Sequence, residues 1–258
     1  QRKWGLATAP SLARPTKTPR RGSWRKMRKP DTSFVQVTKD PLENWKPALR
    51  VMREARARGF ELTVAVDSRS SEESKRAVRE VADNYIDFEN KDCWPEAALN
   101  RVLDASHRTW AFVVSDDEEP SAGLWEFASK PPPVVDRAGR PYLWRCRMLA
   151  PLPDWSALYG ALDTHQPRYF PREAIRWPGG FDEMPVSRLK EIDFDLVLWH
   201  YTLWSPRFYR EQKVKDHEAA WVEHWAKHPW PFPGRASYLY EDHPEHWSPL
   251  GDWEGQRP

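Results

Sequence analysis

The chain has 258 residues, of which 30% are charged and 40% hydrophobic, and this size allows one large α/β domain or two small ones. No apolar run approaches the length of a membrane span, so we expect no transmembrane segment. The net charge is only +2 but is unevenly distributed, and the two cysteines, Cys93 and Cys146, have no metal-ligand spacing. With so few thiols and no secretory signal, we expect a reducing cytoplasm, bacterial or in a phage-infected cell.

The first 30 residues are predicted to form a flexible basic arm. Residues 1–29 contain ten Lys or Arg and no acid, with many prolines and no apolar period. Such an arm either contacts an anionic partner, such as nucleic acid or lipid, or serves only as a solubilising extension. The candidate contact residues within it are Arg20, Arg21, Arg25 and Lys26.

The next hundred residues alternate between strand and helix patterns. Residues 33–38 alternate like a strand, and Asp40-Pro41 has the sequence of a helix start whose helix would end at Gly59. Further strands are predicted at 62–66, 85–88 and 111–114, with helices at 72–82 and 95–106 between them. This βαβαβαβ order predicts a parallel, doubly wound sheet.

The fourth strand runs directly into four consecutive acids, Asp116, Asp117, Glu118 and Glu119. Like charges this close repel one another and are most easily tolerated where a cation sits among them. Ligands bind outside the carboxyl ends of strands in open α/β sheets, so the run predicts a metal-bearing site. The alternative is an acidic surface loop that caps the next helix.

The second half has weaker patterns. Short strands are predicted at 142–149, 168–170 and 196–199, followed by a helical pattern at 205–228. From Pro229 the chain is rich in Trp, Pro and His without periodicity, and we expect this tail to wrap the domain or cover the site. The predicted organisation is a basic arm (1–30), a domain (31–228, divided at 120/121 into nucleotide-binding and acceptor-binding halves) and a tail (229–258).

Several local motifs together resemble the GT-A nucleotide-sugar glycosyltransferases, in particular their family 2 group. The matching segments are residues 63–71 with Asp67 and Ser68, residues 97–105 with Asn100, residues 115–118, residues 168–183, and residues 198–201 with Lys213 or Lys215 further on. The family usually shows Asp-x-Asp-Glu where this chain has Ser115-Asp116-Asp117-Glu118, so the motif leaves open which aspartate binds metal. No G-x-G-x-x-G or Walker motif occurs, which argues against a dinucleotide oxidoreductase and a P-loop enzyme.

The resemblance implies a GT-A-like, mostly parallel central sheet flanked by helices, with an aromatic-rich C-terminal extension. It also implies a nucleoside-diphosphate sugar donor, such as a UDP- or GDP-sugar, and Mn²⁺ or Mg²⁺. Asp67, Ser68 and Asn100 would bind the nucleotide. Asp117, Asp116 and His200 would hold the metal, and Lys213 or Lys215 would complete the cationic clamp. Glu183 is favoured as the catalytic base, with Asp182 as the alternative, in a displacement that inverts the anomeric centre.

The acceptor stays open between a modified DNA base, reached through the basic arm, and a protein or cell-envelope glycan. Two other classes compete with the transferase: a nucleotidyltransferase on a related sheet, and a non-catalytic module that binds nucleic acid. A nucleotidyltransferase is expected to carry a Gly-rich basic loop after its first strand, and residues 38–41 are poor in Gly.

Overall fold

The computed structural model describes residues 30–89, 96–130, 142–160, 164–177, 189–212, 214–215, 239–242 and 244–258. Its strands are β1 (Thr32–Thr38), β2 (Glu61–Asp67), β3 (Asn84–Phe88), β4 (Trp110–Val113), β5 (Glu118–Pro120), β6 (Tyr142–Leu149), β7 (Leu158–Tyr159), β8 (Thr164–Pro171), β9 (Lys190–His200) and β10 (Trp247–Ser248). Its α-helices are α1 (Ala48–Ala57), α2 (Glu72–Arg79), α3 (Glu96–Ala105) and α4 (Ala122–Ala128). None of the helices in these ranges is both long and apolar enough to span a bilayer.

Eight of the strands form one continuous sheet in the order β3-β2-β1-β4-β8-β6-β9-β5. The first four are mutually parallel, as are β6 and β9, and β8 and β5 run against their neighbours. The prediction of an α/β fold with a mostly parallel central sheet flanked by helices is therefore confirmed. Since β4 pairs with β8, the sheet crosses the predicted boundary at 120/121 without a break, and that division stays a prediction.

Alternate residues of the central strands point to opposite faces, and each face has its own core. Phe34 and Phe112 pack on the side of α1, α2 and α4, whereas Val35 and Val113 pack on the side of α3. This two-sided burial explains why the strands read as almost continuous apolar runs.

Helix α1 begins later than the sequence predicts. Asp40 is not its N-cap: the helix starts after Pro47, and residues 40–47 form turns. Asp40 has a φ of 48°, and its carboxylate accepts a hydrogen bond from the main chain of Ser71. The aspartate thus joins two loops instead of capping a helix. The predicted end is confirmed, since Gly59 follows the helix with a φ of 84° that favours glycine.

Strands β5, β7 and β10 were not predicted, helix α4 was mentioned only as an alternative without bounds, and two strands are longer than predicted. The acid run itself contributes β5, which pairs antiparallel with β9, and Ser121 caps helix α4 directly afterwards. Strands β8 and β9 extend well beyond the predicted segments at 168–170 and 196–199. Charged residues along the exposed part of β9 hide the strand pattern there. Of the predicted helix at 205–228, the structure describes helical residues 207–212 and 214–215.

The described part of the C-terminal tail packs against the sheet. Strand β10 pairs with β7, and Leu250 lies in a core cluster with Leu149, Val197 and Trp199. The indole of Trp199 donates a hydrogen bond to the carbonyl of Gln256. Trp155, Trp204 and Trp253 pack beside the same cluster, so the aromatic residues of the second half build a local core around the end of β9.

The core of the first half supplies a stability test. Phe112 is fully buried and packs edge-on against Phe34 and Trp125. Phe112→Ala is expected to lower the free energy of unfolding by about 3–5 kcal/mol, because it leaves a cavity between sheet and helices. The matched control is Phe208→Ala, whose ring is 63% exposed and whose loss is expected to cost less than about 0.5 kcal/mol. Equal losses in urea unfolding would contradict the assigned core.

Candidate functional site

The candidate site lies at the carboxyl ends of β2, β1 and β4. The chain leaves β1 toward β2 and β3 on one side, then returns to form β4 on the other side of β1. Such a reversal opens a crevice at the strand ends, where open α/β sheets bind their ligands. Asp67 ends β2, and Asp116 and Asp117 follow β4. The structure therefore places the predicted acids at one sheet edge, on either side of β1.

The loops that form this edge are tied to one another. The hydroxyl of Thr38 and the main-chain N–H of Lys39 both donate to Asp116 Oδ2, each at 3.1 Å. The N–H of Asp40 donates to Ser70 Oγ at 3.1 Å, and Asp40 Oδ1 accepts from the N–H of Ser71 at 2.8 Å. The β1 loop is thus fixed to the loops after β4 and β2, which preorganises the crevice.

Each of the four consecutive acids has its own basic partner. Asp116 pairs with Lys46, Asp117 with His200, Glu118 with Arg168 and Glu119 with Arg50. These partners come from the loop before α1, the end of β9, the middle of β8 and helix α1. Lysine and arginine side chains therefore relieve the repulsion at Asp116, Glu118 and Glu119, and a histidine lies beside Asp117.

Lys46 lies at the crevice beside Asp116. Its Nζ lies 2.9 Å from Asp116 Oδ2 and 3.2 Å from a carboxylate oxygen of Glu43, and it also donates to the carbonyl of Lys39. Burial alone would lower the pKa of Lys46, but the charge and hydrogen bond of Asp116, with help from Glu43 and Asp117, raise it above its ordinary value. The lysine is therefore held protonated at neutral pH.

Asp116 is anchored on one oxygen. Thr38, Lys39 and Lys46 all donate to Oδ2, and no hydrogen bond to Oδ1 joins it to a described residue. The three donors hold the carboxylate in one orientation. Its other oxygen, Oδ1, can then accept a hydrogen bond from a ligand or bind a cation.

Asp117 and His200 form a buried pair. His200 Nε2 lies 3.1 Å from Asp117 Oδ2, and both residues are more than nine-tenths buried. The pairing of β5 with the end of β9 brings them together, and Tyr201 N–H also donates to the carbonyl of Asp117 at 2.7 Å. His200 Nδ1 is buried and has no hydrogen-bond partner among the described residues, so we expect a water or a ligand to bind it.

Glu118 and Glu119 form ion pairs with arginines from other parts of the fold. Arg168 Nη2 lies 2.5 Å from Glu118, whose other oxygen accepts from the N–H of Ser115 at 2.7 Å. Glu119 takes a bidentate pair from Arg50 and a 2.8 Å hydrogen bond from the Tyr201 hydroxyl. Burial, followed by the neighbouring Glu119, raises the pKa of Tyr201, so the phenol stays protonated.

Asp67 is 1% exposed, and among the described residues its carboxylate is held by Arg69. The N–H and Nε of Arg69 donate to Oδ1 at 2.9 and 3.0 Å, and Nη2 donates to Oδ2 at 2.6 Å. Burial alone would raise the pKa of Asp67, but the hydrogen bonds and charge of Arg69, with a smaller effect from Lys39, lower it. The hydroxyl-bearing neighbour Ser68 is exposed, and its N–H donates to the carbonyl of Phe88.

Asn100 contacts the main chain of Trp177. Its amide nitrogen donates to the Trp177 carbonyl at 2.7 Å, and its oxygen accepts from the Trp177 N–H at 3.0 Å. The predicted nucleotide contact of Asn100 stays a prediction, because these two bonds engage both ends of its amide. Asn100 holds the main chain of Trp177, the residue immediately before positions 178–188.

The structure does not describe most of the remaining predicted site residues. Asp182, Glu183, Lys213 and the arm residues Arg20, Arg21, Arg25 and Lys26 fall outside the described residues. Lys215 is described and exposed, and it forms no ion pair with another described side chain. Its part in a cationic clamp also stays a prediction.

Apart from His200, sequence reasoning missed the basic side chains that meet the acids of the site. Arg69 could have been found, because an arginine two positions after a strand-ending aspartate can bend back onto it. Lys46 lies in the loop that follows β1, and its position in the sequence indicates a contact with the site less clearly than that of Arg69 does. Arg50 and Arg168 carry none, since only the tertiary fold brings them to Glu119 and Glu118.

The residues at this edge fit a divalent cation only if a ligand completes the shell. Within the described ranges, no group of three or more His, Cys, Asp or Glu side chains is placed to hold a metal. Asp116 Oδ1, the carboxylate of Asp117 and an imidazole nitrogen of His200 are nevertheless the kinds of donor that Mg²⁺ or Mn²⁺ accepts. Magnesium is commonly held by one or two carboxylates together with substrate phosphates.

Comparison with known proteins gives the following result. No protein-family model and no curated protein sequence matches the chain. A mannosyltransferase from Pyrobaculum calidifontis, solved with GDP-Man and Mn²⁺, is similar at 16% identity and a TM-score of 0.49, over 88% of this chain and 72% of that one. TarS from S. aureus is similar at 11% identity and a TM-score of 0.41, over 81% of this chain and 70% of that one. Because both TM-scores lie below 0.5, neither likeness assigns a function to this chain.

The ion pair of Lys46 and Asp116 can be tested by its pH dependence. Lys46→Met is expected to lower the free energy of unfolding at pH 8 by about 1–3 kcal/mol, because it leaves a carboxylate poorly solvated. The folded-state pKa of Lys46 lies above 10.5, so its stabilisation is complete below pH 10.5 and is lost as the pH rises through the folded value. The difference from the wild type is therefore expected to narrow above pH 10.5.

Urea unfolding at several pH values between 8 and 12 measures this difference. The matched control is Lys130→Met, since Lys130 and its partner Glu126 are both exposed. A Lys46→Met effect that stays constant up to pH 12 would argue against the ion pair.

Proposed function

We propose that the chain is a glycosyltransferase that moves a sugar from a nucleoside-diphosphate sugar to an acceptor hydroxyl. The observation that carries this proposal is the strand-end crevice, with Asp67 on one side of β1, Asp116 and Asp117 on the other, and Lys39 and Lys46 in the β1 loop between them. Adjacent strands lie about 4.8 Å apart, so the ends of β2 and β4 are separated by roughly 10 Å. A nucleoside at Asp67 can therefore extend its diphosphate across the end of β1 toward Asp116 and Asp117.

The roles of the binding residues follow from their chemistry. Asp67 accepts hydrogen bonds from the ribose or base, since an ionised carboxylate is an acceptor only. Lys39 and Lys46 lie on the path of the diphosphate and offset its charge. A UDP- or GDP-sugar meets these requirements, and the described residues of the crevice do not select between the two bases.

A divalent cation belongs to the same proposal. Asp117 and Asp116 would hold Mn²⁺ or Mg²⁺ with His200, and the bound ion would neutralise the charge that develops on the diphosphate leaving group. Asp116 has Oδ1 available for this role while Lys46 fixes its other oxygen.

The transfer step forms one bond and breaks one. The acceptor oxygen attacks the anomeric carbon, and the bond between that carbon and the diphosphate oxygen breaks, with its electron pair remaining on the diphosphate. The acceptor proton passes to a carboxylate, for which we propose Glu183, with Asp182 as the alternative. Both lie in the segment after Trp177, whose main chain Asn100 holds. A single displacement of this kind inverts the anomeric centre.

Two acceptor classes are compatible with this chemistry. The ten basic residues among positions 1–29 favour a modified DNA base, because Lys and Arg would track the phosphates. A protein or cell-envelope glycan is the other class. The slope of acceptor affinity against salt concentration separates them, since only the polyanion releases many counterions on binding.

The competing functions make different demands on the site. A nucleotidyltransferase is expected to bind triphosphate through a Gly-rich loop, and the loop from Lys39 to Pro47 contains no glycine. A module that binds nucleic acid through the arm alone would not need buried carboxylates at the crevice.

Donor binding provides the first test. Nucleoside diphosphates and their sugars are expected to raise the melting temperature in proportion to occupancy, and Mn²⁺ is expected to increase the shift. Asp67→Asn should abolish the nucleotide-dependent shift, and Asp117→Asn should abolish mainly the increment that Mn²⁺ adds. If no nucleotide shifts the wild-type melting temperature, the proposal is wrong.

The proposed base provides the second test. Glu183→Gln is expected to lower kcat for transfer by about 10²–10⁴-fold, because general base catalysis contributes that much, while the donor-dependent thermal shift stays unchanged. Asp182→Asn is the matched variant. A large loss for Asp182→Asn with little effect of Glu183→Gln would assign the base to Asp182 instead.

A further inference from the structure

The side chain of Arg69 closes on the carboxylate that the proposed function assigns to the nucleoside. Its Nε donates to Asp67 Oδ1 at 3.0 Å and its Nη2 donates to Oδ2 at 2.6 Å. Asp67 is 1% exposed, whereas the side chain of Arg69 is 47% exposed. The guanidinium is therefore the solvent-facing member of the pair.

This geometry creates a competition for Asp67. Oδ1 already accepts two hydrogen bonds, from the main-chain N–H and Nε of Arg69, and Oδ2 accepts a short charge-assisted one. A ribose or base that hydrogen-bonds to this buried carboxylate must displace the guanidinium. Losing a charge-assisted hydrogen bond is costly unless the arginine finds another anion.

The donor itself brings that anion. A diphosphate that extends from Asp67 toward Asp116 passes the loop of Lys39, whose charge acts on Asp67 and whose N–H bonds to Asp116. Arg69 lies two residues beyond the end of β2, beside the start of this path. The planar guanidinium fork matches phosphate oxygens in two-point contacts, as it matches a carboxylate.

We propose that Arg69 is a donor-binding residue that exchanges Asp67 for the diphosphate when the nucleotide binds. This inference rests on the proposed function, because it needs a nucleoside diphosphate in the crevice. It makes recognition of the nucleoside conditional on recognition of the phosphates. A nucleoside alone breaks the interaction between Arg69 and Asp67 without replacing it. A nucleoside diphosphate breaks the same interaction but gives the arginine a new anionic partner.

The test compares two ligands on one variant. Isothermal titration calorimetry measures the affinity of UDP and of uridine, or of GDP and guanosine if guanine gives the larger thermal shift with the wild type. Arg69→Ala is expected to bind the nucleoside several-fold more tightly, because the competitor is gone. It is expected to bind the diphosphate about tenfold more weakly, because a charge-assisted contact is lost.

Two further variants sharpen the comparison. Arg76→Ala removes an exposed arginine of α2 and is expected to change neither affinity. Arg69→Lys keeps the charge without the two-point fork, and it is expected to shift the ratio of diphosphate to nucleoside affinity in the same direction by a smaller factor. The hydrogen bond from the main-chain N–H of residue 69 to Asp67 persists in both Arg69 variants. If Arg69→Ala fails to fold, the ratio of diphosphate to nucleoside affinity is measured with Arg69→Lys instead.

The outcomes separate this inference from the proposed function. If nucleoside and diphosphate weaken by equal factors in Arg69→Ala, Arg69 only orients Asp67 and the exchange is wrong. If both affinities stay unchanged while the wild type binds nucleotide, the pair lies outside the donor site and the inference is also wrong. If the wild type binds neither ligand, the glycosyltransferase proposal itself fails.

Discussion

The run of four carboxylates after β4, of which Asp117, Glu118 and Glu119 are buried, is stable because each carboxylate meets a basic side chain from elsewhere in the chain. An unpaired charge in such a position would cost several kcal/mol. The partners are Lys46 before α1, Arg50 within it, Arg168 on β8 and His200 at the end of β9. The turn between β4 and β5 is therefore stable only when both halves of the sheet have assembled around it.

The two ends of this run serve different purposes. Glu118 and Glu119 bind arginines, which keep their charge at all ordinary pH values, so these pairs act as permanent joints between helix, sheet and strand β9. Asp116 and Asp117 bind a lysine and a histidine and lie at the crevice. One short sequence thus supplies the cross-links that hold the edge rigid and the carboxylates that the edge offers to a ligand. A rigid frame of this kind is what a preorganised binding site needs.

Sequence reasoning predicted the first half of the fold well because its signals are local. Apolar strands, helical stripes and Gly59 fix the order of β1 to β4, and parallel strands necessarily bring Asp67 and Asp116 to one edge. The error at Asp40 arose because its real partner, Ser71, lies 31 positions away. Strand β5 was missed since Glu118 and Glu119 are buried as ion pairs, and an acidic segment without its partners gives no strand signal.

The same reasoning identified the acids of the site but not their electrostatics. The acid run led to the prediction of a metal-bearing site, which stays a prediction, and the sequence did not reveal the basic side chains that meet the acids, from Lys46 to Arg168. Charge pairing between residues 50 to 83 positions apart is a property of the folded chain, and no local pattern encodes it.

The packing of the tail onto β9 has a practical consequence for handling the protein. Leu250 and the carbonyl of Gln256 both contact the cluster around Trp199, the residue immediately before His200. A truncation upstream of Leu250 would uncover a tryptophan next to a site residue and invite aggregation. Affinity tags joined after Pro258 by a flexible spacer, in contrast, would leave these contacts of Leu250 and Gln256 in place.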